Sequence, residues 1–171
     1  MRIFFPAYVL ASVLSTTAFA GTPGEVMTND YLRETTLDGL NGDTKTFSNY
    51  RGKPLIINIW ASWCGPCQSE MGSLEKLAQR YNGKDLNLIG VSTDDYRNSA
   101  EAFIKRTGIT FENYIDHKLV LEHMLGATTI PLTVLVDEQG RILTKVYGSR
   151  DWDNPVVIDA IAETFQIKLK H

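Results

Sequence analysis

The chain has 171 residues, of which 43% are hydrophobic and 22% charged, and its formal net charge at pH 7 is −3. These proportions are those of an ordinary single-domain globular protein, and they argue against a disordered chain, a collagen-like repeat or a disulfide-rich mini-protein. No run of Lys or Arg provides the basic surface that nucleic-acid binding requires. Both cysteines fall within the four-residue window Cys64–Cys67.

Residues 1–20 have the pattern of a secretory signal peptide. Arg2 precedes a short apolar stretch, and the small residues Ala18 and Ala20 form a cleavage signal. An uncleaved membrane anchor is the alternative, because the apolar stretch is close to the roughly 20 residues of a membrane span. We therefore predict cleavage after Ala20 and export to the periplasm, a compartment in which disulfides persist.

The first part of the mature chain is predicted to be a loose leader followed by a hairpin. Residues 21–32 are mostly small and polar and show no periodicity. Two strand candidates over 33–37 and 44–47 flank a turn rich in Gly and Asp, which predicts an N-terminal β-hairpin. The folded domain is expected to extend over 33–171.

A strand, a helix and a second strand follow in succession. Residues 55–60 are almost continuously apolar, which is typical of a strand covered on both faces. The next segment has apolar residues at helical spacing, namely Met71, Leu74, Ala78 and Tyr81. A second apolar run over 86–91 completes a βαβ unit, whose two strands should be parallel.

The C-terminal half is predicted to contain three more helices and one hairpin. Asn98 or Ser99 caps the first helix, which buries Ala100, Phe103 and Ile104. The remaining elements are a short helix over 118–125, antiparallel strands over 133–136 and 141–147, and a final helix that starts at Asn154-Pro155.

The sequence Cys64-Gly65-Pro66-Cys67 lies between the first buried strand and the helix after it. At a helix N-terminus, unpaired N–H groups and the helix dipole favour a thiolate, so Cys64 is the expected nucleophile and Cys67 the resolving thiol. A disulfide that closes so short a loop stabilises a fold little, which favours a redox role. A copper or zinc carrier that uses both cysteines and His123 is the alternative from another functional class.

The string Trp60-Ala61-Ser62-Trp63-Cys64-Gly65-Pro66-Cys67 resembles the active-site sequence of the thioredoxin superfamily. Its surroundings are similar to the exported TlpA/ResA-type branch, and the resemblance extends over about 33–165. It implies an α/β, thioredoxin-like fold with a central mixed sheet flanked by helices. An N-terminal β-hairpin and a βα insertion between the parallel strands belong to that fold. The implied activity is periplasmic thiol-disulfide exchange without a cofactor.

The resemblance also assigns residues to the site. Cys64 is the attacking thiol, Cys67 resolves the mixed disulfide, and Pro131 is the cis-proline that faces this pair. The residues expected to form the surface on which a partner docks are Trp63, Gly65, Pro66 and Ile130.

The resemblance also bears on the group that accepts the proton of Cys67. Asn58 stands where thioredoxin has a buried Asp, which removes that group. Asp95 falls where ResA-like proteins carry a Glu near the thiols, so the resemblance makes it the proton acceptor for Cys67. Glu70, one turn after Cys67, is expected to support the helix N-terminus electrostatically.

The resemblance also implies a direction of electron transfer and a set of partners. The Gly-Pro insert is that of thioredoxin, whose potential near −270 mV is that of a reductant. Such a protein exchanges electrons with partner-protein disulfides, needs a membrane electron donor of the DsbD/CcdA kind, and is expected to be a monomer. Relatives serve cytochrome c maturation or metal-site assembly. A DsbA-like oxidase or isomerase is the alternative within this class.

Overall fold

One mixed sheet organises the chain. The computed structural model describes residues 23–170, so the predicted signal peptide lies outside the described residues. The sheet has the strand order β2-β1-β5-β4-β3-β6-β7. Its strands are β1 (Thr36–Gly39), β2 (Lys45–Thr46), β3 (Leu55–Trp60), β4 (Asn87–Ser92), β5 (Glu112–Ile115), β6 (Leu132–Val136) and β7 (Ile142–Tyr147).

The central strand β3 is buried along its whole length, as its apolar sequence predicts. It pairs in parallel with β4 and antiparallel with β6, so the predicted βαβ unit is confirmed. The predicted hairpin of β6 and β7 is confirmed as well. The N-terminal hairpin of β1 and β2 forms, but its first strand lies about three residues later than the sequence predicts.

Strand β5 was not predicted. It pairs in parallel with β4 and antiparallel with β1, and thereby joins the hairpin to the rest of the sheet. Its sequence, Glu-Asn-Tyr-Ile, gives no apolar run and no clear alternation. The polar side chains are accommodated because they are bonded internally: Asn113 Oδ1 accepts a hydrogen bond from Trp60 Nε1 at 3.0 Å.

Within residues 23–170, four α-helices cover the sheet: α1 (Gly65–Tyr81), α2 (Arg97–Thr107), α3 (Val120–Leu125) and α4 (Pro155–Phe165). The apolar residues predicted for α1 and α2 are all buried. The predicted cap of α2 is wrong, because Tyr96 precedes the first turn. The predicted start of α4 is confirmed, and Asn154 caps it, since Asn154 Oδ1 accepts from Val156 N.

The core has two parts, one on each face of the sheet. Ile56 and Trp60 point to the side on which α1, α2 and α4 pack. Ile57 and Ile59 point to the opposite side, where α3 and the hairpin pack. Because successive residues of a strand face opposite sides, the sequence of β3, which is apolar except for Asn58, is what a sheet covered on both faces requires.

The N-terminal segment differs from the predicted loose leader. Within residues 23–32, Val26 and Leu32 are each only 5% exposed. The Val26 N–H donates to the Met124 carbonyl at 2.8 Å. Glu25 forms an ion pair with Lys145 in which both side chains are largely buried. The small, polar composition of this segment therefore did not indicate that it packs against α3 and β7. No helix within 23–170 is long and apolar enough to span a membrane.

Candidate active site

The two cysteines meet where β3 gives way to α1. Cys64 is the N-cap of α1 and forms a disulfide with Cys67, with a Cα to Cα distance of 5.2 Å. The Cys67 N–H also donates to Cys64 Sγ at 3.2 Å. Cys64 is 5% exposed and Cys67 is fully buried. A partner therefore reaches the pair through Cys64, whereas Cys67 is confined to attack from inside the protein.

Pro131 lies beside this disulfide, immediately before β6. The Ile130–Pro131 peptide bond is cis, which is the geometry that the resemblance implies. The Ile130 carbonyl oxygen lies 3.8 Å from Cys64 Sγ. The Pro131 carbonyl accepts from Gly148 N at 2.9 Å, which ties this loop to the chain that follows β7.

The residues predicted for docking surround Cys64. Trp63 has 68% of its surface exposed, and Gly65 and Pro66 are also exposed at the start of α1. Ile130 is half-buried. The other tryptophan of the motif, Trp60, is completely buried and packs on the ring of Phe103.

The two neighbouring aspartates after β4 have different environments. Asp95 is exposed and lines a cleft next to Trp63. Asp94 is 2% exposed, and its carboxylate accepts from Ser62 N at 2.9 Å and from Ser62 Oγ at 2.6 Å. It also accepts from Ser92 Oγ at 2.7 Å. Asp94 thus fixes the loop that leads into the cysteine motif, a role that sequence reasoning missed.

The carboxyl group of Glu70 is buried and lies one helical turn beyond Cys67, whereas that of Asp95 is exposed. Glu70 is 1% exposed. Residues three apart on a helix share a face, so its side chain lies on the same buried side of α1 as Cys67. Beyond the electrostatic support of the helix N-terminus that the sequence predicts, the Glu70 side chain points into the protein and accepts hydrogen bonds from other elements.

Three donors from outside α1 hold the Glu70 carboxyl. Asn58 Nδ2 donates to Oε1 at 2.8 Å. Trp152 Nε1 and Arg150 N donate to Oε2 at 2.9 and 3.0 Å. Burial raises the pKa of Glu70 and outweighs these hydrogen bonds, which favour the ionised form. A carboxyl with a raised pKa next to a resolving thiol is suited to take up and release a proton.

Asn58 connects this carboxyl to the sheet. Its side chain is fully buried, and Nδ2 also donates to Thr133 Oγ1 at 2.9 Å. Its Oδ1 is buried without a hydrogen-bond partner. Buried polar atoms are rarely left unpaired, so this atom is an exception.

The histidines considered as metal ligands do not join the cysteines. His117 and His123 are both exposed, on the segment that leads into and forms α3. Within residues 23–170, no three His, Cys, Asp or Glu side chains are grouped so that they could hold a metal ion.

Comparison with known proteins identifies relatives of this fold and site. Thiol-disulfide oxidoreductase ResA from Geobacillus kaustophilus (strain HTA426) is 30% identical over 113 residues, which are 66% of this chain and 65% of that protein. ResA from Geobacillus thermodenitrificans (strain NG80-2) is 29% identical over the same shares. The chain thus spans just under two thirds of the length of these curated relatives.

A solved structure and a family model agree with these relatives. A crystal structure from Chlorobium tepidum, assigned as thiol:disulfide interchange protein DsbE, superimposes with a TM-score of 0.74. The identity is 24%, and the match covers 82% of this chain and 99% of that one. The thioredoxin-like fold and the similarity to ResA are thereby confirmed. The family model described as Redoxin matches residues 27–161, so the chain belongs to the Redoxin family.

Proposed function

We propose that this protein is a thiol-disulfide oxidoreductase that exchanges electrons with partner proteins through Cys64 and Cys67. The observation that carries the proposal is the disulfide at the start of α1, with only Cys64 next to the surface. The opposing Ile130–Pro131 loop and the ResA relatives support it further.

In the reducing direction, Cys64 attacks first. The Cys67 N–H, which donates to Cys64 Sγ, stabilises the thiolate together with the positive end of the α1 dipole. The Cys64 thiolate forms a bond with one sulfur of the partner disulfide and expels the other as a thiolate. The product is a mixed disulfide, with Cys67 still a thiol in the interior.

Cys67 then resolves the mixed disulfide. Its thiol transfers a proton to Glu70, and the resulting thiolate attacks Cys64 Sγ. The bond between Cys64 and the partner breaks, and the second partner thiolate leaves. The partner has gained two electrons, and the protein has the Cys64–Cys67 disulfide. In the oxidising direction the same steps run in reverse.

Asn58 serves both protonation states of Glu70. Its Nδ2 donates to the ionised carboxyl and to Thr133 Oγ1. When Glu70 is protonated, rotation of the amide by half a turn places Oδ1 at the same point. There it accepts from the carboxylic acid and from the Thr133 hydroxyl.

We further propose the periplasm as the compartment, with residues 1–20 as the signal for export. In that compartment a reductant needs a supply of electrons, for which a membrane donor of the DsbD/CcdA kind is suited. The proposed form is a monomer that delivers electrons to cytochrome c maturation or to the assembly of a metal site. The Gly-Pro insert between the cysteines supports the reducing direction.

Trapping the mixed disulfide tests the activity. In Cys67→Ser, expressed in the native periplasm, a partner that is attacked by Cys64 cannot be released. We expect covalent adducts that disappear on treatment with reductant and that are absent from the Cys64→Ser control. The absence of adducts from a Cys67→Ser protein whose Cys64 still reacts with an alkylating agent would contradict the proposal.

The reduction potential tests the direction. Equilibration with glutathione or dithiothreitol should give a value near the −270 mV of thioredoxin, together with reduction of insulin. A value near the −120 mV of DsbA, without insulin reduction, would make the protein an oxidase instead.

A further inference from the structure

A cleft of about 370 Å³ opens beside the disulfide. One of its walls is formed by Trp63, the residue before Cys64, and another by Ile130, whose carbonyl oxygen lies 3.8 Å from Cys64 Sγ. Leu119 and Ala127 add apolar surface. A partner segment that presents its cysteine to Cys64 therefore lies at the mouth of this cleft.

Two carboxylates, those of Asp95 and Glu122, line the same cleft. Neither side chain forms a hydrogen bond or an ion pair with any residue between 23 and 170. The adjacent Asp94, in contrast, accepts hydrogen bonds from Ser62 and Ser92. The lining contains no Lys, Arg or His. The cleft thus combines an apolar wall with two carboxyl groups. Burial raises the pKa of Glu122, and the neighbouring His123 opposes this shift.

We propose that this cleft selects partner segments that carry Lys or Arg close to the reactive cysteine. The inference rests on the proposed function and names the substrate class for it. The aliphatic stem of such a residue packs along Trp63 and Ile130, while its cation approaches Asp95 and Glu122. The exposed indole of Trp63 also offers its ring face to the cation. An acidic residue at the same place is repelled.

Three peptides that differ in one charge test this inference. Each has a single cysteine whose sulfur is joined in a disulfide to a coloured aromatic thiol, and the neighbouring residues are Lys, Gln or Glu. The reduced protein donates two electrons, so that its dithiol becomes a disulfide while the peptide thiol and the aromatic thiol are released. The rate of colour release is measured and divided by the rate with dithiothreitol, which corrects for the intrinsic reactivity of each peptide.

We expect the Lys peptide to react about tenfold faster than the Glu peptide, because two partly exposed charge pairs act with opposite sign on the two peptides. High salt should reduce this ratio. In Asp95→Asn/Glu122→Gln the ratio should fall to about one. The matched control Glu138→Gln/Glu163→Gln removes two exposed charges at the opposite end of the molecule, near the turn after β6 and the end of α4, and should retain the ratio.

The outcomes separate this inference from the proposed function. A wild-type protein that reacts with all three peptides at the same corrected rate refutes the selection of basic segments but leaves the exchange activity in place. A ratio that survives in Asp95→Asn/Glu122→Gln refutes the role of the cleft. A reduced protein that reacts with none of the peptides and does not reduce insulin contradicts the proposed function itself.

Discussion

Glu70 and Glu112 are both held by several hydrogen bonds, but the pKa of Glu70 is raised and that of Glu112 is lowered. Burial acts to raise both pKa values. At Glu112 it is outweighed by the ion pair with Lys45 and by the hydroxyl of Tyr50. At Glu70 the three hydrogen-bond donors are neutral groups, and Arg150 contributes only its backbone N–H and a weaker attraction from its side chain.

The two carboxyl groups are suited to different roles. A carboxylate with a cation in contact stays ionised and fastens two elements together, in this case β2 and β5. The hydroxyls of Tyr50 and Tyr114 complete that cluster, and burial raises the pKa of Tyr114 to about 12, so it keeps its proton. A buried carboxyl without a contacting cation can exchange a proton. A carboxyl of this second kind is the one suited to proton exchange with a nearby thiol.

The largest expected effect is on the resolving step. Glu70→Gln keeps the shape of the side chain but removes the carboxyl that we propose as the proton acceptor for Cys67. The decay of a preformed mixed disulfide on Cys64 should slow on the order of 10²-fold, as is typical for loss of a general base. Stopped-flow or quenched alkylation measures this decay.

Glu112→Gln is the control for this change, and it should leave the decay within about twofold. Equal decay in wild type and Glu70→Gln would show that Cys67 loses its proton elsewhere and would remove the functional contrast between the two carboxyls.

The next effect concerns the environment of Glu70. Trp152→Phe removes the indole donor that favours the ionised carboxyl, so the pKa of Glu70 should rise further. The pH at which the resolving step reaches half its maximum should therefore move upward. The lost hydrogen bond should also lower the free energy of unfolding by about 1–3 kcal/mol.

Trp60→Phe is the control that separates the shift of the pH midpoint from the loss of stability. Trp60 is equally buried, but its Nε1 donates to the neutral amide of Asn113. It should cost similar stability without moving the pH midpoint. An equal shift of the midpoint in both variants would mean that general loosening, and not the hydrogen bond to Glu70, sets the profile.

The stability of the oxidised protein should depend on pH with opposite sign at the two sites. Glu112 has a lowered folded pKa, so its contribution is present above the unfolded value of about 4.3 and is lost as the pH falls through the folded pKa. Glu70 has a raised folded pKa, so its contribution is present below about 4.3 and is lost as the pH rises through the folded pKa.

Urea unfolding across this pH range should show both trends. The free energy of unfolding of wild type minus that of Glu112→Gln should increase with pH. The same difference for Glu70→Gln should decrease with pH. Two differences that change in the same direction would contradict the contrast drawn between the sites.

The smallest effect is expected at Asp94, a buried carboxylate at the dithiol end that holds backbone. Asp94→Asn replaces one accepting oxygen and weakens the anchoring of Ser62. Loss of about one hydrogen bond, near 1 kcal/mol, should slow the attack by Cys64 two- to fivefold. The pH midpoint of the resolving step should stay in place. A shifted midpoint would make Asp94 part of the proton path and not a positioning residue.

Local sequence was sufficient for the features that local physics controls. The apolar run of β3 predicted a strand covered on both faces, and the spacing of Met71, Leu74, Ala78 and Tyr81 predicted the buried side of α1. The resemblance carried by the cysteine motif added the cis peptide bond before Pro131. In retrospect, Glu70 lies in the same helical stripe as Cys67 and Leu74, and that position was a signal of its burial.

The βαβ unit, the dithiol at a helix N-terminus and the family resemblance could be predicted from the sequence, because they depend on residues close together in the chain. The tertiary structure was needed to show which carboxyl is buried one helical turn from Cys67. The donors to Glu70 are Asn58, 12 residues earlier, and Trp152, 82 residues later, and only folding brings them to one buried point. The adjacent Asp94 and Asp95 were separated in the same way, one turned towards Ser62 and the other towards the cleft.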